Sequence, residues 1–118
     1  MLHHVALEVE PEALGRAREF WALLEFEEVE PPLSLAGTST WFERQGTQIH
    51  LLHTPEPTVP ASGHAAVVVA DFDRAVARLE DSGFEVERRK EHWGAPRAKA
   101  AAPGGHTVEL MASPPPSS

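Results

Sequence analysis

Four residues have the types and positions to hold a cation: His4, His50, His64 and Glu109. Cysteine is absent, so thiolate coordination is excluded and any metal must take nitrogen and oxygen donors. Glu109 is the most informative, because it interrupts the apolar run Val108, Leu110, Met111. A carboxylate buried there without a partner would cost several kcal/mol or be neutralised by a proton. A divalent cation or an imidazolium removes that cost. A single His opening a strand is more often a surface residue or a hydrogen-bonded core residue than a ligand; four such donors on one face are harder to explain that way. His3, His53, His92 and His106 are read as ordinary residues: His3 falls on the opposite face, His53 borders a connector, and the other two lie in loops.

The elements that must position these residues follow from an internal repeat. Gly46-Thr47-Gln48-Ile49-His50-Leu51-Leu52 aligns with Gly105-His106-Thr107-Val108-Glu109-Leu110-Met111, His4-Val5-Ala6-Leu7 with His64-Ala65-Ala66-Val67, and Phe26 with Phe84, offsets of 59, 60 and 58 residues. Each half reads as a strand, a helix and three short strands. Residues 3–9 and 65–69 are partly β-branched runs suited to strands. The first helix is expected over 11–24, with proline in its first turn and Leu14, Ala17, Phe20, Trp21 and Leu24 on one face. The second begins at the N-cap Asp71, carries Phe72, Ala75, Val76 and Leu79 at helical spacing, and stops at Gly83.

Side chains alternate across a strand, so parity divides each strand between the helix-covered face and the other. Val5, Leu7 and Val9 go under the helix, and His4, Ala6 and Glu8 go opposite. Ala65, Val67 and Val69 likewise leave His64, Ala66 and Val68. In the closing strands Ile49 and Leu51 point inward, while Gln48, His50 and Leu52 share the second face with Thr107, Glu109 and Met111.

The chain of 118 residues is the size of one compact domain, read as residues 1–112 with module 1 at 1–53, a proline-rich linker at 54–63 and module 2 at 64–112. Residues 113–118, with three consecutive prolines, are expected to be a disordered tail. No leader pattern and no apolar run of about eighteen residues is present, so a cytoplasmic location without membrane contact is expected. A net charge of −8 and only one short basic cluster, Arg88-Arg89-Lys90, argue against nucleic acid as a partner.

Together these residues resemble the vicinal oxygen chelate superfamily, which includes glyoxalase I, methylmalonyl-CoA epimerase, extradiol dioxygenases, fosfomycin-resistance transferases and bleomycin-binding proteins. The likeness lies in His4-Val5-Ala6-Leu7, Phe20-Trp21 with Leu24-Glu25-Phe26, Gly46 to Leu51, His64, Ser82-Gly83-Phe84 and Pro103-Gly104-Gly105-His106-Thr107-Val108-Glu109-Leu110. It implies an α+β fold of two tandem βαβββ modules forming a half-open barrel. It also implies a divalent metal (Zn, Ni, Fe(II) or Mn) on His4, His50, His64 and Glu109, with positions left for a substrate, and association into homodimers.

Departures from the relatives narrow the reaction. Glyoxalase I has a carboxylate where His50 stands, and methylmalonyl-CoA epimerase usually has Gln there. Fosfomycin transferases carry Thr where this chain has Ala6. Extradiol dioxygenases use a set matching His4, His64 and Glu109 but employ a Tyr, and this chain has none. Bleomycin-type binders lack the ligands. Three readings follow. The first is a metal-dependent lyase or isomerase that stabilises an enediolate while His50 or Glu8 takes a proton. The second is an Fe(II) dioxygenase of the extradiol type. The third is a non-catalytic drug-binding pocket lined by Trp41, Phe42, Trp93 and Met111.

Overall fold

The computed structural model describes residues 1–117, which form two compact units. Unit 1 contains residues 1–60 and Pro103–His106; unit 2 contains Ala61–Ala102 and, of the described residues, 107–117. The grouping differs slightly from the repeat, because four residues of the second half belong with the first. Of the expected tail, residues 113–117 carry no regular secondary structure, and residue 118 lies outside the described residues.

In unit 1, β1 (His4–Val9) is followed by a single 3-10 turn (Pro11–Ala13) and α1 (Leu14–Leu23). The helix expected over 11–24 is thus divided: the proline-led first turn is tighter than an α-turn, and the α-helix proper begins at Leu14. Three strands follow, β2 (Glu27–Val29), β3 (Ser39–Arg44) and β4 (Thr47–His53). The sheet order is β1-β4-β3-β2, with β1 and β4 parallel and the other neighbours antiparallel. Unit 2 repeats the plan with β5 (Ala65–Val68), α2 (Phe72–Asp81), β6 (Val86–Arg89), β7 (Arg97–Ala101) and β8 (Thr107–Met111), in the order β5-β8-β7-β6. Each unit is a βαβββ module with a mixed sheet, the α+β architecture that the repeat implies.

Both helices end alike, for a local reason. At the end of α2 the Gly83 N–H donates to Glu80 O and the Phe84 N–H to Leu79 O, with Gly83 at φ +89°. This double bond pattern closes the last turn and satisfies carbonyls that would otherwise be orphaned. At the end of α1 the Glu25 N–H donates to Ala22 O and the Phe26 N–H to Trp21 O, so Glu25 takes the left-handed conformation, φ +67°. The start of α2 is capped as its sequence suggests, Asp71 accepting from the Arg74 N–H at 3.3 Å.

Of the apolar set assigned by parity, Val9, Ile49, Leu51 and Val69 are buried, while Val5, Leu7, Ala65 and Val67 are half-buried. Val9, Phe20, Trp21, Leu24, Phe42, Ile49 and Leu51 form the core of unit 1, and Phe72, Val76, Leu79, Ala98, Val108 and Leu110 that of unit 2. This corrects one element of the drug-pocket reading. Phe42 is 1% exposed and belongs to the core, because it alternates with Trp41 along β3 and the two must face opposite sides of the sheet.

Candidate metal centre

β4 is the inner strand that places His50. In register, Ala6 of β1 lies on one side of it and Trp41 of β3 on the other. The Trp41 indole stacks on the imidazole with centroids 3.8 Å apart and planes 1° from parallel. On its other face the His4 ring stacks at 3.9 Å and 15°. Residue 6, the β1 partner of His50 in the register, is alanine.

A polar line decides which nitrogen of His50 is free. The Gln48 amide donates from Nε2 to Glu43 Oε1 at 2.8 Å, and its Oε1 lies 2.7 Å from His50 Nε2. An ionised carboxylate only accepts, so Glu43 fixes the amide nitrogen toward itself and the amide oxygen toward the ring. His50 therefore donates from Nε2 and keeps its lone pair on Nδ1. Burial, then the charges of His4 and His3, lower its pKa from 6.5 to about 4, so the ring is neutral at physiological pH.

His3 completes this cluster. Its Nδ1 lies 2.9 Å from Nδ1 of His4, and one ring nitrogen from each of His3, His4 and His50 falls within 4.8 Å of the others. Parity assigns His3 to the opposite face, and the structure corrects this: residue 3 precedes β1, where the alternation has not begun.

Unit 2 holds the other two expected ligands together. His64 Nε2 is 3.0 Å from Glu109 Oε1, and Arg97 Nε donates to Glu109 Oε2 at 2.9 Å. The second ring nitrogen of His64, Nδ1, donates to the carbonyl of Ser62 at 2.8 Å. A carbonyl cannot donate, so Nδ1 carries a proton; Nε2, facing a carboxylate, then calls for a second proton or for a cation shared with Glu109. Glu109 is 7% exposed. Burial pushes its pKa up, but hydrogen bonds from Arg97 and His64 outweigh that and hold it below its ordinary value. The sequence carries no signal for Arg97, which reaches Glu109 only through the β7–β8 register.

The remaining candidates are placed as follows. The Glu8 side chain accepts from the Thr58 N–H at 2.7 Å through Oε1. His106 is buried and donates from Nε2 to the carbonyl of Glu8, and His53 Nε2 pairs with the Thr40 hydroxyl at 2.8 Å, both structural bonds. His92 is exposed. Trp93 donates from Nε1 to Ser113 O at 3.0 Å.

The donors suit a first-row dication. Two atoms each about 2.1 Å from one ion and at a right angle to each other stand roughly 3.0 Å apart, and the His3–His4 and His64–Glu109 separations, 2.9 and 3.0 Å, match that. Bound there, such an ion would supply Lewis acidity toward substrate oxygens.

The fold is shared with solved structures at low sequence identity. A glyoxalase family protein from Bacillus anthracis superposes with a TM-score of 0.84 at 23% identity, over 94% of this chain and 93% of that one. The genomically encoded fosfomycin resistance protein of Listeria monocytogenes gives 0.78 at 20%, over 97% and 91%. Lactoylglutathione lyase from Agrobacterium tumefaciens gives 0.67 at 20%, over 94% and 92%. No curated protein matches. No helix among the described residues is long and apolar enough to cross a membrane. With the repeated module and its histidines in place, the match of a family model over residues 2–110 assigns this chain to the Glyoxalase/Bleomycin resistance protein/Dioxygenase superfamily.

Proposed function

We propose that this chain is a metal-dependent enzyme acting on a small carbonyl or hydroxy acid that chelates through neighbouring oxygens, with His4, His50, His64 and Glu109 as ligands. The reaction is transfer of a proton from the carbon next to the carbonyl, a lyase or isomerase step. Held by these residues, an ion such as Zn, Ni, Fe(II) or Mn would supply positive charge to stabilise an enediolate. Support comes above all from His50, a clamped neutral imidazole whose lone pair lies on Nδ1, beside His4. A group with a pKa of about 4 is a poor base near neutral pH, which favours ligation over proton removal for His50. Proton removal then falls to Glu8, whose carboxyl is held through Oε1 by the Thr58 N–H.

An oxygenase reading is favoured by a different observation, the tight His64–Glu109 pair. With His4 it would complete a 2-His-1-carboxylate triad for Fe(II), leaving His50 without a bond to the metal.

Metal analysis of protein purified without chelator, followed by turnover of 2-hydroxy and 2-oxo acids with Zn or Ni under nitrogen and of catechols with Fe(II) under oxygen, separates the two. Glu8→Gln should keep the metal and lose at least about tenfold in kcat. A chain that retains no metal and turns over neither class is a binding protein. Homodimers are proposed as well, on the strength of β1 and β2 standing at the ends of their sheet with one edge each outside it. A sedimentation mass of 12.9 kDa at tens of micromolar would overturn that.

A further inference from the structure

We infer that His3 is a metal ligand, so that unit 1 presents a three-imidazole site, His3, His4 and His50, for a borderline dication such as Ni2+, Cu2+, Co2+ or Zn2+. The inference shares His4 and His50 with the proposed enzyme site but rests on a residue that neither the repeat nor the family resemblance requires. At the position equivalent to His3 the second half has Gly63, next to His64, so no counterpart exists in unit 2.

Three features place His3 for this role. Its carbonyl accepts the Gln48 N–H at 2.8 Å, which ties residue 3 to β4 one step beyond the β1 ladder. Gln48 is the residue whose side chain sets the His50 tautomer, so one residue of β4 positions two of the three imidazoles. The His3 and His4 Nδ1 atoms approach to 2.9 Å, where two nitrogens must share either a proton or a cation. That separation corresponds to a bite near 90° at bond lengths of about 2.0–2.1 Å. Such an angle suits octahedral or square-based coordination and is narrower than a tetrahedral site requires.

The chemistry of the site follows from its donors. Three imidazole nitrogens select borderline dications over Mg2+ and Ca2+, which prefer oxygen. Right-angled donors leave further coordination positions open. Because His3 and His4 are exposed while His50 is buried, those positions are on the solvent side, where oxygens of a small molecule have access.

The test is Ni2+ affinity of the metal-free full chain by competition with a chromophoric chelator, with Mg2+ as control. The variants are His3→Ala, His4→Ala, His64→Ala, Glu109→Gln and Gln48→Leu. His3→Ala should weaken Ni2+ roughly tenfold or more, an effect comparable to that of His4→Ala, and Gln48→Leu should weaken it as loss of a ligand-orienting partner does, about 10-fold or more. The visible absorption of the Co2+ form should change band positions in His3→Ala, a readout that a merely structural role would not move. Thermal unfolding of metal-free His3→Ala should match wild type, since the side chain is exposed. Unchanged Ni2+ affinity and an unchanged Co2+ spectrum in His3→Ala, alongside weakening in His64→Ala, would overturn the inference and leave the proposed enzyme site standing. Affinity unchanged in every variant would overturn both.

Discussion

The imidazole of His50 lies flat against the indole of Trp41, centroids 3.8 Å apart and ring planes within 1° of parallel. His4 covers the opposite face and Gln48 holds Nε2, so the Nδ1 edge is what remains for chemistry. A ring enclosed in this way gains little from water when protonated, which is why it resists taking a proton.

His50 should therefore titrate near 4 instead of 6.5. The unfolded chain takes up this proton as pH falls through 6.5, whereas the native chain does so only near 4. Stability should accordingly decline as pH drops from about 6.5 to about 4, by up to about 3 kcal/mol from this group, and be insensitive to it above that window. Urea unfolding across pH 4–8 should show a shallower acid slope for His50→Phe. An NMR titration of the metal-free protein giving His50 a midpoint of 6–7 would refute the burial account.

Arg97 should matter for stability as much as any core residue. Arg97→Met leaves the buried Glu109 carboxylate with His64 as its remaining side-chain donor, and removing one member of such a pair costs about 3 kcal/mol. The carboxyl pKa should rise, because the burial that pushes it up loses its main opponent. The stability gap between wild type and Arg97→Met should narrow in acid, as pH falls through the lowered native pKa of Glu109 and the wild-type pair is itself lost. Arg97→Met combined with Glu109→Gln should be more stable than Arg97→Met alone; a double variant as unstable as the sum of the singles would contradict this.

Two left-handed positions should respond to mutation with opposite signs. Glu25→Gly should stabilise by about 0.5–1 kcal/mol, since glycine relieves the strain at φ +67° and the ion pair lost, Arg44 at 3.8 Å, is exposed on the Glu25 side. Gly104→Ala should destabilise by about 1–3 kcal/mol. Its φ is +95°, and a Cβ there would lie 2.8 Å from Val9 Cγ1, a core side chain that cannot yield freely. Melting temperatures of the two variants on either side of wild type would bear this out, and shifts of the same sign would not.

Much of this fold was legible because its signals are local. The offsets that relate His4 to His64 and Phe26 to Phe84 report the repeat, and alternation along β4 separates Ile49 and Leu51 from Gln48 and His50 whatever the strands pair with. The ends of α2 were legible too, because Asp71 and Gly83 act through neighbours within a turn, whereas the start of α1 was not: the proline-led turn before Leu14 is 3-10. The tertiary structure decided what depends on register and chain direction. Arg97 meets Glu109 because β7 and β8 pair with Lys99 opposite Glu109, a pairing no local pattern encodes. His3 joins His4 and His50 because strand parity does not extend past the first ladder residue, and the nearest anchor for residue 3 is a backbone bond to β4. The tautomer of His50 is likewise set across strands, by Glu43 of β3 acting through Gln48. The types and positions of His4, His50, His64 and Glu109 were written in the chain; which nitrogen His50 offers, and which cation shares the charge of Glu109, came only with the packing that removes water from those two.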